Sequence, residues 1–100
     1  MKDPRLVKLA DVLVNYSVEV KPGDWVVVQG DMLTAPMVEE IYRLILEAGG
    51  HPNTLFGGTR MSEIFYQTAS EEQLTWISPF VEMVYGEADV VISLMGTENT

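Results

Sequence analysis

Ten consecutive residues, Trp25 to Thr34, constrain the fold of this chain more than any other stretch: Trp-Val-Val-Val-Gln-Gly-Asp-Met-Leu-Thr. A run of apolar, β-favouring side chains ends abruptly in Gly30-Asp31, and Thr34 then stands where it can cap a helix whose first turn holds Pro36. This reads as a buried strand feeding a helix. A strand apolar at almost every position has both faces covered, which belongs to a parallel sheet wrapped by helices rather than to a half-wet antiparallel one. In such sheets ligands gather beyond the carboxyl ends of the strands, so Gly30 and Asp31 occupy the place where a substrate cleft is expected.

The rest of the chain supplies the partners that such a strand needs. Asp3 is a good cap, Pro4 suits a first helical position, and Leu6, Leu9, Ala10, Leu13 and Val14 recur at helical spacing, predicting a helix to about Tyr16. Lys21-Pro22-Gly23-Asp24 is a turn that delivers the chain into the first strand. A helix from Thr34 to Ala48 carries Met37, Val38, Ile41, Leu44, Ile45 and Ala48 on one face and stops at Gly49-Gly50. A second, partly polar strand spans roughly Pro52 to Phe56 and closes at Gly57-Gly58. From Arg60 to Gly86 the pattern is helical in pieces, with a capping box at Ser70 and Gln73 and another start at Ser78-Pro79. Asp89 then leads into a third apolar strand, Val90 to Met95, stopped by Gly96.

The succession predicts an α/β fold with a three-stranded, mainly parallel sheet and flanking helices, half of a Rossmann-like arrangement with right-handed crossovers. The first strand is apolar throughout and should be central, whereas Asn53-Thr54 marks the second as an edge, giving the order 2-1-3. In that order the third strand is also an edge despite its apolar character. An exposed edge of this kind invites pairing, so the sheet is expected to be a fragment of a larger one, or residues 90–95 to be covered by self-association. One hundred residues with 47% apolar content supply one modest core and a single domain.

Charge and composition narrow the partners. Fifteen acidic against six basic residues give −9, which argues against nucleic acid and against an anionic membrane surface. No stretch reaches the length of about 18 apolar residues that a membrane span requires. Absence of cysteine removes thiol nucleophiles and thiolate metal sites and accords with a reducing, cytoplasmic setting. No resident catalytic set is expected. His51 is the only histidine, and Glu39 and Glu40 are neighbours set about 100° apart around a helix, so they diverge rather than converge on one ion. No serine sits in a G-x-S-x-G elbow. The turn at Gly30 lacks the further glycines and the lysine of a phosphate loop. Arg60, after Gly57-Gly58-Thr59, remains as a polar contact at the cleft, because a guanidinium can hold a carboxylate or phosphate.

The ordered series Asp3-Pro4-Arg5-Leu6, Tyr16-Ser17, Lys21-Pro22-Gly23-Asp24, Thr34-Ala35-Pro36, Ala48-Gly49-Gly50-His51-Pro52, Ala69 to Leu74 and Glu87-Ala88-Asp89-Val90 resembles the N-terminal region of the aminopeptidase T, PepS and AmpS metallo-aminopeptidases. The likeness covers essentially the whole chain. It implies that residues 1–100 are the N-terminal α/β domain of a longer, two-domain, cytoplasmic, homodimeric enzyme. Such an enzyme removes N-terminal amino acids from peptides with two divalent metal ions of the zinc or cobalt type. The metal ligands of that family lie in the C-terminal domain, so no catalytic or metal-binding residue is carried over to this sequence. The domain would then support the fold, the substrate cavity or the dimer. Two other classes stand beside this reading: a stand-alone α/β module binding a small molecule or nucleotide, and a receiver-like signalling domain built on Asp31.

Overall fold

The computed structural model describes residues 3–94. Its elements are helix α1 (Pro4–Val12), strand β1 (Trp25–Gly30), helix α2 (Ala35–Glu47), strand β2 (His51–Phe56), helices α3 (Thr59–Thr68), α4 (Glu71–Thr75) and α5 (Pro79–Glu87), and strand β3 (Val90–Ser93). The sheet is three-stranded and parallel in both pairings, in the order β2-β1-β3. That is the topology expected from the apolar character of β1 and the polar Asn53-Thr54 of β2. Met95 and Gly96, placed at the end of the third strand by the sequence, lie outside the described residues.

Alternation along β1 sends its side chains to two unequal layers. Val26 and Val28 join Ala10, Val14, Val38, Ile41, Leu44, Ile45 and Ile92 in the main core, where α1 and α2 pack against the sheet. Val27 points the other way and is also buried, beneath α5, where Val84 is the buried residue of its helix. Both faces of the central strand are therefore covered, as a continuous valine run demands. The second layer is thinner. Among the described side chains neither α3 nor α4 has a buried residue, and Trp76, which follows α4, is 67% exposed.

Local chemistry explains the boundaries. Asp3 Oδ1 accepts the Arg5 N–H and caps α1, with Pro4 at its first position. The expected helix to Tyr16 changes character after Val12, widening into a π-type turn over Leu13–Ser17. Helix α2 ends in a Schellman arrangement: Gly50 N–H donates to Ile45 O, Gly49 N–H to Leu46 O, and Gly49 takes the left-handed φ of +87°. Gly23 N–H then donates to Gly49 O and His51 N–H to Asp24 O, at 2.9 and 2.7 Å, which sets β1 and β2 in register. On the other side Asp89 ties β3 to β1, its carboxylate accepting the Trp25 N–H at 2.8 Å and its own N–H donating to Trp25 O at 2.9 Å.

Along α2, Arg43 bridges Glu40 at 2.6 Å and also Glu47. Hydrogen bonds to Glu40 and then to Glu47 hold its guanidinium above its already high ordinary pKa. Glu40 is buried and its neighbour Glu39 is exposed, so the two carboxylates diverge as helical geometry requires.

Candidate functional site

The carboxyl ends of all three strands open into one cleft of about 590 Å³, lined by residues of three segments: Gln29, Gly30 and Asp31 at the end of β1, Leu55 to Gly58 at the end of β2 with Ser62 of α3, and Ser93 and Leu94 at the end of β3. Parallel strands place these loops on one side by construction. Gly57 N–H donates to Gly30 O at 3.0 Å and Leu94 N–H to Gln29 O at 2.9 Å, so the ladder continues into the cleft floor. Ser93 Oγ donates to Gln29 Oε1 at 2.9 Å, closing the β1–β3 side with a polar pair. The wall is mixed in chemistry, with Leu55, Phe56 and Leu94 beside amide, hydroxyl and carboxylate groups.

Gly30 and Asp31, expected at this position from sequence, both line the cleft. Each also has a structural task that the sequence reading did not assign. Asp31 is itself a helix cap: its Oδ1 accepts the Thr34 N–H at 3.1 Å, while its own N–H donates to Thr34 Oγ1 at 2.8 Å. This reciprocal box starts the 3-10 turn Met32–Thr34 that leads into α2. Thr34, expected to cap α2 directly, makes no side-chain cap bond to that helix, because its hydroxyl is engaged with Asp31. The signal for this was Asp followed three residues later by Thr. Replacing Asp31 by Ala is expected to cost about 1 kcal/mol through loss of the cap, read as a lower urea midpoint with unchanged slope.

Arg60, the third sequence candidate, is not among the residues lining the cleft. Its side chain is 78% exposed and its guanidinium lies 3.8 Å from Glu63, one turn along α3. The helix that carries it starts without a side-chain cap, at Gly58. Ser62 of the same helix does face the cleft, and reading Arg60 as the polar contact passed over it.

A metal pair needs several convergent donors, which tests what the described residues can hold. Among them no three His, Cys, Asp or Glu side chains gather into a candidate metal site. His51 is exposed at the first position of β2, at the opposite end of the sheet from the cleft. Glu40 is committed to Arg43. The donor set of residues 3–94 therefore does not fit a resident metal pair. Among the described residues no helix is long and apolar enough to cross a membrane.

Comparison with curated proteins gives no match. Comparison with protein families does: residues 2–100 match the family described as thermophilic metalloprotease (M29), which agrees with the likeness to aminopeptidase T read from the turns and caps. With nearly its full length matched, the chain belongs to the thermophilic metalloprotease (M29) family.

Proposed function

We propose that residues 1–100 form the N-terminal, non-catalytic domain of a two-domain dimetal aminopeptidase that removes N-terminal amino acids from peptides. The observation that carries this reading is the combination of a metalloprotease family match across residues 2–100 with a donor set, among the described residues, that does not converge. A family that works through metal ions, and a domain whose carboxylates serve as caps and ion pairs, are reconciled when the ligands sit in another part of the enzyme. The two ions of the zinc or cobalt type would supply a polarised carbonyl and an activated water there. No step of that chemistry is assigned to residues of this domain.

What these residues contribute is shape. The cleft walls of Gly30 and Asp31, with Arg60 just beyond Gly58 of the same rim, would bound part of a substrate cavity, and the mixed lining suits a peptide chain better than a phosphate. A cysteine-free chain fits work in the cytoplasm, and a homodimer is the expected assembly. The strand-end cleft also favours a second reading, a small-molecule binding module that acts alone.

Calorimetric titration of residues 1–100 with zinc and with cobalt, alongside an aminoacyl-anilide assay, separates these readings from a self-contained enzyme. The expected result is no stoichiometric binding and no turnover. Stoichiometric binding at micromolar affinity together with hydrolysis would place the chemistry inside this domain and overturn the proposal.

A further inference from the structure

Two surfaces on this chain are complementary to each other and face away from its own core. The first is the outer face of α1 and of the π-type turn that continues it. Arg5, Lys8, Leu9, Val12 and Tyr16 recur at one helical face, opposite the buried Ala10 and Val14. Leu9, Val12 and Tyr16 are 56%, 43% and 71% exposed, large values for apolar and aromatic side chains, and beside them stand Lys8 and Arg5, the latter 3.5 Å from Asp3. The second is a groove of about 580 Å³ between α3 and α4, lined by Ile64, Phe65, Thr68, Glu72, Gln73 and Trp76.

Charge decides what fits the groove. Between Arg60 and Asp89 the sequence holds six carboxylates and one cation, and that cation, Arg60, faces Glu63. Two such grooves set face to face would repel. The amino-terminal sequence has the opposite bias: Lys2, Arg5 and Lys8 are half of the six cations in the chain, against Asp3, which caps α1 and pairs with Arg5, and Asp11, which accepts a hydrogen bond from Asn15. An amphipathic helix with apolar anchors one turn apart is the standard occupant of an apolar groove between helices. Within one chain the two surfaces are held apart. Helix α1 packs on the face of the sheet that carries Val26 and Val28, whereas the crossover that includes the groove ends in α5 on the Val27 face.

We infer that α1 of one copy seats in the α3–α4 groove of a second copy, with Leu9 and Val12 against Phe65 and Trp76 and with Lys8 facing Glu72. This goes beyond the proposed peptidase reading and does not depend on it. The contact is heterologous, since the two surfaces differ, so repetition gives a ring or an open head-to-tail chain unless two copies exchange helices reciprocally. Apolar burial supplies the attraction and the charge bias supplies direction and salt sensitivity.

Light scattering and sedimentation of residues 1–100, from micromolar to millimolar concentration, test the contact with two variants. One carries Lys8→Glu and Leu9→Glu and leaves the groove intact; the other carries Glu72→Lys and Trp76→Ala and leaves α1 intact. All four positions are exposed, and circular dichroism checks that both variants keep the fold. The parent is expected to gain mass with concentration, less so at high salt, and each variant alone to associate about tenfold or more weakly. An equimolar mixture of the two variants is expected to form a one-to-one dimer, because the intact groove of the first accepts the intact helix of the second. A parent that stays monomeric at millimolar concentration overturns the inference. So does assembly that survives unchanged in both variants, which would indicate pairing through the β3 edge, and so does a mixture that remains monomeric.

Discussion

Ile41→Ala is expected to lower the unfolding free energy by about 3–4 kcal/mol, a loss matched in this fold only by truncations of equally buried core residues such as Ile45. Ile41 is completely buried on α2, among Val26 and Val28 of the sheet, Val14 beside α1 and Ile45 one turn on. Removing three carbons there forfeits their transfer energy and leaves a void that rigid neighbours on strand and helix cannot fill. A domain of this size has about 5–15 kcal/mol in total, so the melting temperature should fall by at least about 12 °C. Leu46→Ala is the matched control on the same helix. Leu46 is 53% exposed, and its truncation should stay within about 0.5 kcal/mol. Equal losses at the two positions in urea denaturation would mean that the α2 face is assigned wrongly.

Gly30→Ala should cost about 2–3 kcal/mol by the opposite route, overpacking. A Cβ at Gly30 would lie 2.6 Å from Thr34 Oγ1 and 2.8 Å from Val38 Cγ2. Neither neighbour yields easily. Thr34 Oγ1 receives the Asp31 N–H and donates to Asp31 O, so swinging it away breaks the box that starts α2, and Val38 is buried in the core. The tight turn is thus a packing device: β1 can end only this close to α2 because its last residue has no side chain. Val38→Ala introduced with Gly30→Ala should recover part of the loss, which distinguishes crowding from backbone effects. Gly57→Ala is the contrast, since a Cβ there meets nothing within 4 Å and its midpoint should hardly move. A neutral Gly30→Ala would show that the β1–α2 junction relaxes freely.

The sheet was legible in the sequence because burial and polarity vary strand by strand. Val26-Val27-Val28 can satisfy both faces only at the centre, and Asn53-Thr54 tolerates an edge, so strand order follows from solvation alone. Ser70 and Gln73 form the capping box their spacing announces, and Pro79 opens α5 at the expected place. Helix α3 starts at Thr59, one residue before the Arg60 at which the helical pattern begins, although Gly58 caps it with no side chain. Apolar residues at helical spacing in α3 and α4 state that a face will be covered, not by what. That is why Trp76 and Phe65 emerge as surface rather than core. At the cleft, strand ends located Gly30 and Asp31, since position follows from topology. The direction of Arg60 depended on which face of α3 turns toward the sheet, and no pattern in a helix exposed along most of its length specifies that.

The two flanks of β1 are not held on equal terms. Pairing with β2 joins Trp25 to His51, whereas pairing with β3 draws on residues from Asp89 onward, 64 positions away. Closing the longer loop costs about 0.8 kcal/mol more in chain entropy than closing the shorter one. The strand that bears this surcharge is the shorter of the two, with four residues against six, and so has fewer rungs with which to offset it. The Asp89 carboxylate on the Trp25 amide is therefore more than a turn contact. It acts as a clasp at the entry of β3, setting the first rung in place so that each later rung closes a short loop instead of a long one.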